Sequence, residues 1–280
     1  MRDPFSETRP LLWLGIAGVT LAALSGVVAL AQGTIILPEG DLTKSMSFDA
    51  AVGIYVLTLA LFVPLAGFTS QGRRRWIRIV VGLTCYGFAV ETIQVLRGID
   101  PRFTRVGGAA DQIVGALFGI TALGVMTMFI VLAVKIWRRP LAGPNLLLLL
   151  AIRYASIVTV MGFLSGLWMG ALQGRHVGPA GNILPLHALC FHAIQAVPLV
   201  ALFLSRSNLP DAHSRLWIHL AGLTWLGTCV AVGWQTAMGR PLSQVSWTMI
   251  AAYGLAMLWA ICLAKAVLSS QITRQPVLAK

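Results

Sequence analysis

The sequence predicts an all-α integral membrane protein: about eight transmembrane helices in two four-helix halves, with both termini on the cytoplasmic side. Three observations carry this expectation. Of the 280 residues, 57% are hydrophobic and only 11% are charged, whereas a soluble domain carries about 25% charged residues, so the chain needs lipid as its solvent. The apolar residues gather into eight runs of about twenty residues or more, each long enough at about 1.5 Å per residue to cross a hydrocarbon core of about 30 Å. Lysine and arginine sit in the short segments between the runs, unevenly on the two sides, which is the pattern that orients membrane proteins.

In chain order, Met1 to Pro10 is a polar leader and Leu11 to Gln32 the first run. Ala29-Leu30-Ala31 resembles a signal-peptidase site, but the run exceeds a usual signal core and reads as a retained helix. The next runs are Ala50 to Phe68, Ile77 to Leu96 and Gln112 to Trp137, then Leu146 to Leu172, Ile183 to Leu204, Leu216 to Met238 and Trp247 to Leu268. Irregular backbone cannot face lipid, so these segments are helices. Pro198 predicts a kink in the sixth that frees the carbonyl of Ile194. With the N-terminus inside, fifteen of the 21 Lys and Arg fall on the cytoplasmic side and six opposite. Trp13, Trp76, Trp137 and Trp217 then lie at inner ends and Trp168, Trp234 and Trp247 at outer ends, where amphipathic rings anchor. Trp225 and Trp259, at mid-span, are expected to pack between helices.

Residues 1–139 and 140–280 form the two halves, joined at Arg139 to Gly143. The outer end of the third run reads QVLRGIDP and that of the seventh QTAMGRPL. A shared Gln four residues before Gly, with Pro following, is what a parallel internal repeat would leave. Gly162, Gly166 and Gly170 in the fifth run, and Gly115 with Gly119 in the fourth, are spaced to let helix backbones approach. Such faces serve packing within the chain or in a homo-oligomer.

Composition also excludes. A net charge of +12 suggests nucleic acid, but no basic face with interleaved aromatics occurs, so none is expected as a partner. Cys85, Cys190, Cys229 and Cys262 lie inside apolar runs with no CxxC or CxxCH, and read as small buried hydrophobes. His187 and His192 are five residues apart, about 140° around a helix, which does not present two ligands to one ion. No HExxH occurs, and no metal or other cofactor is expected.

Ionisable residues crowd into one place, VETIQVLRGIDPRFTRVGGAADQIVGALFG from Val90 to Gly119. Thr84, Gly87, Glu91 and Gln94 fall on one helical stripe, and a charged side chain at that depth must face a bundle interior or a wet cavity. Asp111 leads into the Gly115–Gly119 stripe. The loop between supplies Arg97, Arg102 and Arg105, which either pair with Glu91, Asp100 and Asp111 or offer guanidinium groups to a phosphate. The spacing predicts that Glu91 touches one of these arginines.

A Glu-x-x-Gln at a helix end, an Arg-bearing loop and an Asp opening a Gly-rich helix resemble the VanZ-like membrane proteins. The likeness covers Leu37 to Trp137 and matches that family at Glu91, Gln94, Arg102 or Arg105, and Asp111. It departs where the family carries Asn one turn after the Asp, here Gly115, and His before its second span, where this chain reads KSMSFDAAVGIY. The resemblance implies a multi-pass protein of the bacterial cytoplasmic (inner or plasma) membrane, linked to the cell envelope, and no defined reaction.

The second half places His187, His192, Gln195 and Gln235 at the same outer level. Polar side chains that are costly in lipid are expected to share one outward-facing pocket. The functional expectation is binding of membrane lipid, in particular a phosphate-bearing anionic headgroup, without catalysis. The alternatives are a membrane-embedded enzyme of envelope-lipid metabolism, a transporter, and a haem- or metal-binding protein. Neither GxSxG nor another nucleophile motif occurs, so no catalytic residue is assigned.

Overall fold

The computed structural model describes residues 7–272. Most of the leader, with Arg2, and the terminal Arg274 and Lys280 lie outside them. Among the described residues, eight helices are long and apolar enough to cross a membrane. They are α1 (Arg9–Gln32), α2 (Leu42–Phe62, extended by a 3-10 turn over Val63–Ala66), α3 (Ser70–Leu96), α4 (Ala109–Trp137), α5 (Leu146–Ala171), α6 (Ile183–Leu204), α7 (Asp211–Ala237) and α8 (Trp247–Ile272). The remaining regular structure of the described residues is two short hairpins: β1 (Ile35–Ile36) pairs with β2 (Gly40–Asp41), and β3 (His176–Val177) with β4 (Gly181–Asn182). The helices divide into two compact units, one ending at Lys135 and the other beginning at Ile136, near the end of α4.

Five helices (α1, α2, α3, α4 and α7) start before their apolar runs, α2 and α3 by the most, and in these two a side-chain cap rather than hydropathy begins the helix. Asp41 accepts from the backbone N–H of Thr43 at 3.0 Å, which nucleates α2 eight residues before Ala50. Thr69 Oγ1 accepts from Gly72 N at 3.1 Å and draws the basic run Arg73–Arg75 into α3. In the second unit Asn182 repeats the device of Asp41, accepting from Leu184 N at 3.0 Å. The helix α6 carries Pro198 in its buried interior and remains one uninterrupted element.

The closest helix contact in the first unit is between α1 and α2, and it depends on glycines that no GxxxG motif marks. A Cβ on Gly18 would lie 3.0 Å from the Cα of Gly53, and one on Gly53 would lie 2.8 Å from the carbonyl oxygen of Gly15. The fifth-helix glycines do receive neighbours: Gly162 faces Phe191 and Cys190, and Gly166 faces His187, whereas nothing approaches Gly170 or Gly119. In the second unit, Val197, Val200, Ala201 and Leu204 of α6 close on Ile218 and Ala221 of α7. Trp225 and Trp259 pack against this core, their rings edge to face at 4.7 Å. Cys190, Cys229 and Cys262 are buried, but Cys85 is exposed.

Each unit runs helix, hairpin, helix, helix, helix. Adding 141 to the residue number carries Gln32, Gly33, Pro38, Gly40, Gln94 and Gly98 onto Gln173, Gly174, Pro179, Gly181, Gln235 and Gly239. The same shift carries the hairpin register Ile35 with Asp41 onto His176 with Asn182. It also carries backbone hydrogen bonds: Leu42 N to Thr34 O (2.8 Å) becomes Ile183 N to Arg175 O (2.8 Å), and Glu39 N to Gly98 O (2.9 Å) becomes Ala180 N to Gly239 O (3.1 Å). The chain is therefore an internal repeat, of which the Gln–Gly match was one visible fragment.

In both copies the hairpin docks on the end of the third helix through a left-handed glycine, Gly98 at φ +74° and Gly239 at φ +69°. A Cβ on Gly98 would stand 2.1 Å from the carbonyl oxygen of Leu37. Gly98→Ala is thus expected to destabilise the protein by at least about 2 kcal/mol, from left-handed strain plus displacement of the hairpin. Gly82→Ala, inside α3 with nothing within 4 Å, is expected to be neutral or slightly stabilising. Thermal unfolding of the two variants in detergent checks the contrast, and equal melting points would contradict it.

Candidate functional site

The hairpin end of the first unit gathers ten of its charged side chains, from Glu39 to Asp49 and from Glu91 to Asp111. The loop from Arg97 to Gly108 is held first by two acids. Asp100 Oδ1 accepts from the backbone N–H of Arg102 and of Phe103, both at 2.9 Å, and its Oδ2 lies 3.3 Å from Lys44 Nζ. Glu39, at the hairpin tip, accepts from Thr104 Oγ1 at 2.6 Å and from Arg105 N at 2.9 Å. The Thr104 hydroxyl holds the Glu39 carboxyl below its ordinary range. Burial pushes Asp100 upward, but the two backbone donors and Lys44 outweigh it and keep its carboxyl below the usual value. Both acids are thus ionised clamps on the loop at neutral pH.

At the junction of α3 and α4 the loop closes through Asp111. Its Oδ1 accepts from Gln94 Nε2 at 3.0 Å and from Arg97 Nη1 at 2.7 Å, and its Oδ2 accepts from Gly108 N at 3.1 Å. Arg97 also donates to Gln94 Oε1. A carboxylate in the first turn of a helix suits the positive end of the macrodipole, so Asp111 caps α4 and ties it to α3 at once. Arg97 remains 55% exposed and keeps part of its guanidinium toward solvent.

Beneath this lies a buried layer. Arg102 Nη2 donates to Glu91 Oε2 at 2.8 Å, and Glu91 has no exposed surface. The Arg102 guanidinium also stands over the rings of Phe48 (5.3 Å) and Phe118 (5.4 Å), a geometry in which the aromatic faces attract the cation. So Arg102 is the arginine that Glu91 touches. The predicted stripe is buried throughout: Thr84, Gly87, Glu91 and Gln94 all face inward. Beside Glu91 sits a second fully buried acid, Asp49 of α2. Its Oδ2 accepts from Ser45 Oγ at 3.3 Å and from Thr92 Oγ1 at 3.2 Å. Glu91 Oε1 and Asp49 Oδ1 are buried without a hydrogen-bond partner.

Five of the residues singled out in the sequence thus come together at one end of the first unit, in two bonded sets: Glu91 with Arg102, and Gln94 with Arg97 and Asp111. The backbone of Arg105 is fixed by Glu39 while its side chain is exposed. Sequence reasoning passed over Asp49, Ser45, Thr92, Lys44 and Glu39. The available signal was helical spacing: Leu42, Ser45, Asp49 and Gly53 form one buried stripe, but hydropathy alone makes the segment a lead-in to the span.

In the second unit the polar residues do different work. His187 Nδ1 lies 3.1 Å from Ser165 Oγ and its ring 4.8 Å from that of Phe191, bridging α5 and α6. His192 is exposed and Gln195 half-buried. Gln235, fully buried, donates to the carbonyls of Pro241 (3.1 Å) and Gln244 (3.3 Å) and accepts from Ser246 (2.8 Å) and Thr248 (2.7 Å). It ties α7 to the start of α8 as Gln94 ties α3 to α4, with neutral partners in place of charged ones.

Comparison with protein-family models, with curated proteins and with solved structures finds no match to this chain. Among the described residues, no group of three or more His, Cys, Asp or Glu is placed to hold a metal ion.

Proposed function

We propose that this chain is a multi-pass protein of a bacterial cytoplasmic membrane whose first unit binds an anionic, phosphate-bearing headgroup at the outer surface, without catalysis. One observation carries the reading: two copies of the same fold differ in charge. At the positions 141 residues on from Glu39, Lys44, Asp49, Glu91 and Arg97 stand Ala180, Pro185, Cys190, Val232 and Met238. The second copy builds the same hairpin, the same cap on the helix that follows it (Asn182 for Asp41) and a helix junction without those five charges. The fold does not need them, so a function of the first copy accounts for them better than structure does.

The chemistry favours an anion. The guanidinium groups of Arg97 and Arg105 reach the surface of one loop, and the Arg105 side chain has no carboxylate partner within salt-bridge reach among the described residues. Guanidinium groups bind phosphate in a planar, bidentate manner. A shallow apolar groove between α1 and α2, lined by Ala23, Gly26, Val27, Leu30 and Met46, runs up to Thr34 and Thr43 at the foot of the hairpin whose tip holds the Arg105 backbone. That arrangement suits a ligand with an acyl chain and a charged head. The fifteen-to-six distribution of Lys and Arg supports inward termini, which puts the hairpins and the arginine loop outside. The VanZ-like resemblance rests on residues of this same network.

Native mass spectrometry of the full chain purified from bacterial membranes tests the reading. The expected result is a retained phosphate-bearing lipid, with retention at least about tenfold lower in Arg105→Ala, as loss of a charge-assisted contact predicts. Arg240→Ala, the cation of the α7–α8 loop, is expected to retain it fully. A lipid-free protein, or equal retention by both variants, would overturn the reading.

A further inference from the structure

The buried layer beneath the arginine loop holds an unbalanced charge that headgroup binding does not explain. Asp49 and Glu91 are both without exposed surface, and Thr92, next to Glu91 in α3, donates to Asp49, so both acids belong to one buried layer where α2 meets α3. Each has one oxygen satisfied and one without a donor, Asp49 Oδ1 and Glu91 Oε1.

The groups around them do not supply the missing charge. From α1 the neighbours are apolar or small, with Gly18 against the backbone of Asp49. On α2, Ser45 is neutral and Lys44 is paired with Asp100. On α3, Thr92 is neutral and Gln94 is bonded to Asp111 and Arg97. From α4 comes the ring of Phe118, while Asp111 is paired with Arg97. The loop supplies Arg102, and that guanidinium is bonded to Glu91. Two acids therefore face one cation.

A buried carboxylate without a counter-charge costs several kcal/mol, and such a group takes up a proton instead. One proton answers two needs here. It cancels the surplus negative charge, and it turns an acceptor on Asp49 that lacks a donor into a donor itself. Asp49 is the acid to carry it, because Arg102 keeps Glu91 ionised. A divalent metal fits less well, since no third acid, His or Cys joins the pair among the described residues.

We propose that Asp49 is a buried proton-binding site of the first unit, holding one proton at neutral pH in the same buried layer as ionised Glu91. The inference stands apart from the headgroup reading: the second copy carries Cys190 and Val232 at these positions, so the site belongs to the first unit whatever that unit binds.

Infrared spectroscopy of the full chain in lipid nanodiscs reads it directly. The expected result is a C=O stretch of a protonated carboxyl at neutral pH that downshifts in D2O. It should move on labelling with [13C]aspartate and stay in place with [13C]glutamate, a test that needs no variant. Asp49→Asn is expected to abolish the band, and Asp111→Asn to leave it. In Glu91→Gln the band should titrate at lower pH, because Arg102 then turns its charge to Asp49. Absence of the band in the unmodified protein at neutral pH overturns the proposal, as does a band that follows glutamate labelling. A band that emerges only when sodium is withheld also overturns it, because a metal cation then occupies the place of the proton.

Discussion

Arg102→Leu is expected to destabilise the protein by about 3–5 kcal/mol, the usual cost of stranding a fully buried charge by removing its partner. Glu91 has no exposed surface and its Oε2 accepts from Arg102 Nη2 at 2.8 Å, so it cannot turn to water when the cation goes. Glu91→Val strands the other member, but the Arg102 side chain is 34% exposed and can rotate outward, so its expected cost is smaller, about 2 kcal/mol after solvent screening. Adding Glu91→Val to Arg102→Leu should then recover most of the loss, because replacing a whole buried ion pair by apolar groups is often close to neutral. The repeat gives a specific reason to expect recovery, since valine is the residue at the corresponding place, Val232. Lys44→Ala removes an ion pair at 3.3 Å whose lysine is 43% exposed, and less than about 1 kcal/mol is expected. Unfolding of the four variants in detergent measures the set. If the double variant is as unstable as the sum of the singles, the pair does not act as a unit and charge burial is not what the network is about.

What the sequence made legible follows from which physical signals are local. Helix number was readable because apolar length is a property of a run, and the run Ile183 to Leu204 coincides with α6. The starts of α2 and α3 were not, because a single side-chain oxygen, Asp41 or Thr69, sets them inside polar sequence. That error hid Asp49: placed in a loop, it carried no information, while placed on α2 with Ser45 and Gly53 it faces inward. Glu91 was found by its helical stripe, yet which arginine it meets depends on Asp100 folding the loop back over α3, a contact no spacing encodes. The repeat left QGTIILPEGD and QGRHVGPAGN at the same offset as its Gln–Gly pairs. Strands of two residues lie below any periodicity signal, so only the hairpin register and the left-handed glycines made the correspondence plain. His187 and His192, five apart, turned to different surroundings as helical geometry requires, one against Ser165 and the other outward.

Gln235→Leu is expected to cost about 1–3 kcal/mol, more than Gln94→Leu, although the two occupy the same place in the two copies. Leucine fills a similar volume, so the difference is one of polar groups left behind. Around Gln235, the hydroxyls of Ser246 and Thr248 can fall back on each other, being 2.8 Å apart already. The carbonyl of Gln244 loses the donor that Gln235 gave it, while that of Pro241 keeps the backbone N–H of Gln244 at 3.1 Å, so one acceptor goes without its donor, at about 1–3 kcal/mol. Around Gln94, Arg97 and Asp111 remain bonded to each other at 2.7 Å, and with Arg97 more than half exposed, water replaces what is lost. About 1 kcal/mol is expected there. Equilibrium unfolding of the two single variants in detergent, compared at the same denaturant, measures the asymmetry. Had the charges of the first copy been placed to hold α3 and α4 together, Gln94, which joins Arg97 to Asp111, would be the costlier position of the two. A larger loss in Gln94→Leu than in Gln235→Leu would therefore return the Arg97–Asp111 set to a structural role and remove the main ground for giving the first copy a function that the second lacks.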